Sequence, residues 1–225
     1  MKKPTAEIHG LTIVLVGNFN PIIFSPVWFA KNDLIRTEEA EKADPQIIHP
    51  DIVSFNLDWL RLQVTKDRFF VETVKEPFEV LRDLVLGTFK LLRHTPIQML
   101  GVNQNLHIRI ESEEKWHKIG HLLSPKEVWN KILNNPGLLK LRVVESERRD
   151  GLKGIIAIEL EPSKRVHPGL YILINDHYEV KDAANSLGCD EVIDMLSSNW
   201  ETSINRGYEM VATLLETINE KLIAN

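Results

Sequence analysis

The order of apolar and polar positions divides the first part of the chain into strands. Residues 11–16 are almost wholly apolar and end at Gly17-Asn18, a pattern typical of a strand buried on both faces. Over residues 52–64 apolar positions alternate with others, and the alternation changes phase at Asp58-Trp59. We therefore predict one strand that is re-aimed there by a β-bulge, with residues 69–74 returning beside it as a hairpin.

A helix is predicted after this hairpin because Pro77 suits the first helical turn and apolar residues follow at spacings of three and four. This stripe comprises Phe78, Leu81, Leu84, Val85, Thr88 and Leu92. Residues 97–110 alternate again and predict a long strand. Residues 113–122 and 125–133 then predict two short helices.

The last third of the chain predicts a second group of strands followed by a helix. Residues 139–144, 155–160 and 170–174 have the pattern of a three-stranded antiparallel meander. An apolar seam at helical spacing then runs from residue 191 to residue 222. We expect this long helix to pack across the sheet.

These elements indicate an α+β fold, because strands and helices are segregated along the chain instead of alternating regularly. We predict two antiparallel β-meander-plus-helix units, which form a candidate pseudo-repeat, and a long C-terminal helix packed on the sheet. The whole chain, residues 1–225, is expected to be one domain, with 1–136 and 137–225 as a candidate subdivision.

Composition is that of an ordinary globular protein and argues against several classes. Of 225 residues, 43% are hydrophobic and 26% are charged. The net charge of −5, without a lysine–arginine cluster, argues against general affinity for nucleic acid. One cysteine, Cys189, allows no intrachain disulfide, and no apolar run is long enough to span a membrane. We therefore expect a soluble, cytoplasmic protein with no membrane partner.

Motifs of the best-known enzyme classes are missing from the sequence. It has no glycine-rich phosphate-binding loop, no nucleophile elbow and no Cys-x-x-Cys pair. We therefore expect no cofactor, apart from the metal considered next.

Two histidines are the sharpest candidate for chemistry. His117 and His121 are four residues apart on a predicted helix, so both imidazoles can face one metal ion. Lys118 stands where the zinc-protease motif has its glutamate base, and its positive charge opposes metal binding. The alternative is an ordinary helix surface. Candidates for a third ligand are His177, Asp176 and His107.

Four polar side chains share one face of the strand predicted at residues 97–110: Asn103, Asn105, His107 and Arg109. Such a row can line a pocket for a polar or anionic ligand, with Arg109 offering a fork for carboxylate or phosphate. A solvent-exposed sheet face has the same alternation, so both interpretations stay open.

A third candidate lies at the end of the last predicted strand. Asp176 precedes His177 and can orient its imidazole, and Cys189 stands near a helix start, where the helix dipole lowers a thiol pKa. The alternative is a simple turn beside a small buried cysteine.

Several short segments together resemble a group of uncharacterised bacterial proteins of similar length. They are Gly17–Pro21 with Trp28-Phe29, Leu57–Leu60, His94–Ile97 leading to Leu100–Asn103, Trp116-His117 with Gly120-His121, and Asn175–Tyr178. The resemblance covers most of the chain and implies a bacterial origin and a whole-chain domain. Because that group has no assigned activity, it implies no catalytic residues.

The sequence favours a non-enzymatic interaction or accessory protein of a bacterial multi-protein system, such as one for defence against phage. The aromatic, proline-interrupted segment 19–35 and the C-terminal seam can each contact a protein partner or a second copy of the chain. One alternative is a metal- or ligand-dependent enzyme that uses His117 and His121. Another is a small-ligand receptor that uses the row from Asn103 to Arg109.

Overall fold

One antiparallel sheet of nine strands organises the part of the chain that the structure describes. The computed structural model describes residues 4–182 and 187–224. The strands are β1 (Ile8–Gly17), β2 (Asp44–His49), β3 (Ile52–Asn56), β4 (Arg61–Thr65), β5 (Arg68–Thr73), β6 (Ile97–Arg109), β7 (Leu141–Glu145), β8 (Gly154–Pro162) and β9 (Gly169–Glu179). Their order across the sheet is β2-β3-β4-β5-β1-β6-β9-β8-β7. The long strands β1 and β6 pair at the centre, and β2 and β7 are the edges.

The helices pack against one face of this sheet. They are α1 (Pro26–Lys31), α2 (Thr37–Glu41), α3 (Glu79–Leu91), α4 (Glu113–Leu123) and α5 (Asp190–Ala224). Leu11, Ile13 and Leu15 of β1 are fully buried beneath them, whereas the alternate residues of β1 face the other way. We call these two sides the covered face and the open face.

A polar layer divides the core on the covered face. On β6, Gln104 separates Val102 of one hydrophobic cluster from Leu106 of another. On β9, Asp176 separates Tyr178 of the first cluster from Ile174 of the second. The side chains of Gln104 and Asp176 are both buried. The sheet therefore carries two apolar regions with a polar boundary between them.

Helix α5 crosses this boundary and is fixed there by Gln104. The Gln104 side chain donates from Nε2 to the backbone oxygens of Ser203 (3.3 Å) and Ile204 (3.0 Å). Gly207 makes room for it, because a Cβ at that position would lie 2.0 Å from Gln104 Nε2. The close approach of helix and strand thus depends on a residue without a side chain.

The predicted α+β fold, with a long C-terminal helix packed on an antiparallel sheet, is confirmed. The pseudo-repeat is not confirmed. The meanders β3–β5 and β7–β9 flank the central pair of strands, but the helices that follow them have 13 and 35 residues. One sheet also spans both parts of the proposed subdivision at 136, since β6 pairs with β9 along eleven residues.

Two local predictions are wrong. The change of phase at Asp58-Trp59 is a hairpin turn between β3 and β4, closed by a bond from Leu57 N to Leu60 O (2.7 Å), and not a bulge within one strand. The helix predicted over residues 125–133 is only a 3-10 turn at Lys126–Val128 followed by further turns. Its apolar residues have little sheet surface to cover, and short helices depend on such packing.

Within the described ranges, no helix combines the length and the apolar character that a bilayer crossing requires.

Candidate functional site

The polar row of β6 lies on the open face, and neighbouring strands fix its two amides. Asn175 of β9 donates from Nδ2 to Asn103 Oδ1 (2.6 Å). Asn105 donates to Thr12 Oγ1 of β1 (3.0 Å) and accepts a hydrogen bond from the Tyr171 hydroxyl (2.8 Å). These bonds link three central strands, so this part of the open face is rigid.

The imidazole of His107 is held in one orientation and one tautomer by Ser163. Ser163 Oγ accepts hydrogen bonds from the backbone N–H groups of Arg165 (3.2 Å) and Val166 (3.0 Å). Its own proton is therefore left for His107 Nδ1, 2.8 Å away. The imidazole proton then resides on Nε2. Burial, and next the nearby Arg165, lower the pKa of His107, which keeps the ring neutral at pH 7.

Arg109 does not offer the free fork that the sequence suggested. Its guanidinium forms a bidentate pair with Glu7, and its Nη1 donates to the backbone oxygen of His167 (2.8 Å). The pKa of the Glu7 carboxyl is lowered by this pairing. Arg109 therefore ties the segment before β1 to the loop before β9.

A concavity of about 260 Å³ lies beside the row, and we call it the open-face pocket. The residues that line it include Asn105, His107, Glu161, Lys164, Arg165 and Tyr171. The rings of His107 and Tyr171 form one wall, with centroids 4.9 Å apart. Two members of the predicted row thus reach the pocket, whereas Asn103 and Arg109 are not among the residues that line it.

The paired histidines of α4 are both exposed to solvent. His121 Nε2 lies 3.2 Å from Glu127 Oε1, and the His117 ring packs beside Trp116. Lys118 is paired with Glu114 on the same helix (2.8 Å). Over residues 4–182 and 187–224, no three His, Cys, Asp or Glu side chains are grouped so that they could share a metal ion.

The residues proposed to act together at the end of β9 are divided between the two faces of the sheet, with Asp176 and Cys189 on the covered face and His177 on the open face. His177 lies on the open face, between Gly101 and Ile155 of adjacent strands, and so opposite to the face that carries α4. Cys189 is buried on the covered face, where its thiol donates to Phe89 O (3.3 Å). Burial raises the pKa of this thiol to about 11, so the expected effect of the helix dipole does not prevail.

A buried ion network that the sequence did not lead us to expect lies under α5. Arg148, whose side chain is fully buried, contacts Asp176 (2.7 Å) and Asp150 (2.7 Å). Arg206 of α5 bonds to the same two carboxylates, at 3.0 Å and 2.7 Å. Tyr178 donates its hydroxyl proton to Asp176 Oδ2 (2.8 Å) and lies beneath the Arg148 guanidinium. The signal was present, because Asp176 has the parity of the core residues of its strand.

This network is structural in character. Each carboxylate is neutralised by two arginines, so no charged group is left for a substrate. It joins β9, the loop before β8 and the middle of α5, three segments that are distant along the chain.

No protein-family model matches the chain, and neither does any curated protein.

Exposed apolar side chains concentrate where the chain approaches and forms the edge strand β7. We call this region the apolar β7 end; it comprises Val128, Trp129, Ile132, Leu133, Leu139, Val143 and Val144. Trp129, Leu133 and Leu139 line one depression of about 250 Å³, which extends to Lys140, the residue before β7. The edge of β7 that faces away from β8 has no neighbouring strand in the described sheet.

A trough runs beside this edge on the covered face, between α5 and β8. Its apolar floor and wall are Ile156, Ile158, Met210 and Leu214. Val143 pairs opposite Ile158 and extends this floor toward the edge of the sheet. The trough has a volume of about 570 Å³ and reaches Glu145, the last residue of β7.

Proposed function

We propose that this protein is a non-enzymatic interaction protein that binds a protein partner through the apolar β7 end. The observation that carries this proposal is the concentration of exposed large apolar side chains in residues 128–144, beside an unpaired strand edge. Contiguous exposed apolar surface is uncommon on monomeric soluble proteins and marks interaction sites.

Two kinds of contact support binding at this place. Burial of apolar surface contributes roughly 25 cal/mol per Å², and the trough beside Val143 offers an apolar floor for it. The backbone groups on the free edge of β7 can also pair with a strand of the partner. The partner we propose is therefore a protein that adds a strand or an apolar segment to this edge.

The single cysteine supports a reducing compartment, and the resemblance to bacterial proteins supports a bacterial multi-protein system. We accordingly propose that the partner belongs to the bacterial cytoplasm. A second copy of the chain is the other occupant that the experiment must distinguish.

The test compares matched valine variants. Val143 and Val27 are both 57% exposed, and Val144 and Val80 are both 46% exposed, but Val27 and Val80 lie on helices. The tagged chain is purified under mild conditions from its native cells, and the masses of the chain and its complexes are measured by native mass spectrometry. We expect a complex that is lost in Val143→Lys/Val144→Lys and kept in Val27→Lys/Val80→Lys.

The masses also identify the occupant. A mass of two chains assigns the β7 edge to self-association, and a heavier or mixed species identifies a different protein. A bare single chain from native cells, or equal loss of the complex in both double variants, would overturn the proposal. Thermal unfolding of all variants checks that each keeps the fold.

A further inference from the structure

Two cationic side chains line the open-face pocket, together with the carboxylates of Glu72 and Glu161. Lys164 and Arg165 stand at its rim, and neither forms an ion pair with any residue that the structure describes. Of the two acids that line the pocket, Glu161 is paired with Lys140 (3.1 Å) and Glu72 with Arg61 (3.7 Å). The cations therefore face a cavity whose carboxylates already have partners.

The loop that presents these cations is held in place. The Ser163 side chain caps the turn through two backbone N–H groups, and Val166 is buried beneath the loop. Lys164 and Arg165 thus project from a backbone that is fixed by Ser163 before them and by Val166 after them. A preorganised loop loses less conformational entropy when a ligand binds.

His107 adds a neutral donor to the same cavity. Its Nδ1 is occupied by the Ser163 hydroxyl, so its N–H is on Nε2, which has no hydrogen-bond partner in the described parts of the chain. Tyr171 and Asn105 hold the wall behind it through their mutual hydrogen bond (2.8 Å). One oxyanion can accept charge-assisted hydrogen bonds from Lys164 and Arg165 and a further hydrogen bond from the neutral Nε2–H of His107.

The size of the pocket limits the ligand. Its volume of about 260 Å³ lies below the roughly 300–1,000 Å³ of sites for drug-sized molecules. The pocket also lacks the long basic stripe that a nucleic acid requires. A small molecule of few heavy atoms fits both conditions.

We propose that the open-face pocket binds a small molecule through an anionic carboxylate or phosphate group, held by Arg165, Lys164 and the Nε2–H of His107. The aromatic wall formed by Tyr171 and His107 packs against the rest of the ligand. This site lies on the open face near the β8–β9 loop and is separate from the apolar β7 end, so the two proposals fail or succeed independently.

The test uses inorganic phosphate and succinate as separate probes on the intact chain. The His107 imidazole is followed by NMR, with His107→Gln identifying its signals. We expect saturable shifts with at least one probe, with a midpoint near or below about 10 mM. We also expect the bound anion to raise the pKa of His107, because its negative charge offsets the positive charges of Arg165 and Lys164. The side chains of Glu72, Glu161 and Tyr171 line the pocket both with and without the anion.

Matched variants decide whether the rim cations hold the anion. Arg165→Ala and Lys164→Ala should each weaken binding about tenfold, the effect of one lost charge-assisted bond. Arg149→Ala removes an exposed arginine elsewhere and should leave binding unchanged. Saturation by phosphate alone or by succinate alone assigns the anion class. Linear shifts with both probes, or the same loss in Arg149→Ala, would overturn the site.

Discussion

At the scale of single residues, two helical glycines have opposite surroundings. A Cβ at Gly207 would lie 2.0 Å from Gln104 Nε2, whereas a Cβ at Gly120 would meet nothing within 4 Å. Alanine favours a helix over glycine by about 1 kcal/mol. We expect Gly120→Ala to be neutral or stabilising, and Gly207→Ala to destabilise by about 1–3 kcal/mol, because Gln104 must give up two buried hydrogen bonds.

Urea denaturation of both variants measures these changes. The double variant Gly207→Ala/Gln104→Ala serves as the control, since it removes the clashing side chain and should recover part of the loss. Equal stability of Gly207→Ala and Gly120→Ala would show that α5 does not approach β6 so closely.

Cys189 should be chemically silent in the folded protein. It is buried and its thiol pKa is raised to about 11, so thiolate is scarce at pH 8. We expect a thiol reagent such as Ellman's reagent to react at least about 100-fold more slowly in buffer than in urea. Rapid labelling of the folded protein would contradict the burial of Cys189 and would support the hypothesis that its thiol is reactive.

At the scale of elements, the ion network decides how α5 is attached to the sheet. Asp176→Asn keeps the shape of the side chain but leaves the buried guanidinium of Arg148 with only one carboxylate. Breaking a buried pair in this way costs about 3–5 kcal/mol. Asp58→Asn, which removes an exposed partner of Lys75, should cost less than about 1 kcal/mol. Similar losses in the two variants, measured by urea denaturation, would argue against a buried network.

The same network predicts how stability responds to acid. Hydrogen bonding to Arg148 lowers the pKa of Asp150 in the folded state. A depressed folded pKa adds stability above the unfolded value of about 3.9, and this stability is lost as pH falls from there toward the folded pKa. We expect the free energy of unfolding to decline below about pH 4, and Asp150→Asn to flatten that decline. If the free energy of unfolding of the variant depends on pH as steeply as that of the original protein, Asp150 does not cause the decline.

Sequence patterns predicted the elements that have strong periodicity and missed those decided by tertiary contacts. The strand at β6, the helix at α3 and the long α5 followed from apolar spacing, because each buries one regular stripe. The turn at Asp58-Trp59 was misread because a tight hairpin and a bulge both shift the phase of an alternating pattern. Strand β2 was missed because all its residues are exposed, so no alternation marks it.

The candidate site was predictable only in part. That the row from Asn103 to His107 shares a face follows from strand geometry alone. That Arg109 is occupied by Glu7, 102 positions away, follows only from the pairing of β1 with β6. Likewise, Ser163 meets His107 across the sheet, and no local pattern connects those residues.

At the scale of the whole molecule, the continuous sheet predicts that the chain does not divide at residue 136. A fragment of residues 1–136 would keep β6 but lose β9, its partner along eleven residues. It would also lose α5, which buries the second apolar cluster. We expect the fragment to show no cooperative thermal transition, whereas the full chain shows one. A sharp transition in the isolated fragment would establish two domains.

The polar layer under α5 has a consequence for how uniquely the chain can fold. Apolar contacts alone tolerate a shift of a helix along a sheet, because after the shift one apolar side chain packs where another did, with a similar packing energy. Directional bonds do not: moving α5 by one turn would separate Arg206 from its carboxylates and bring a larger residue than Gly207 against Gln104. Alternative positions of α5 on the sheet are therefore higher in energy. Hydrophobic burial alone would leave several positions close in energy, and the directional polar contacts favour one of them.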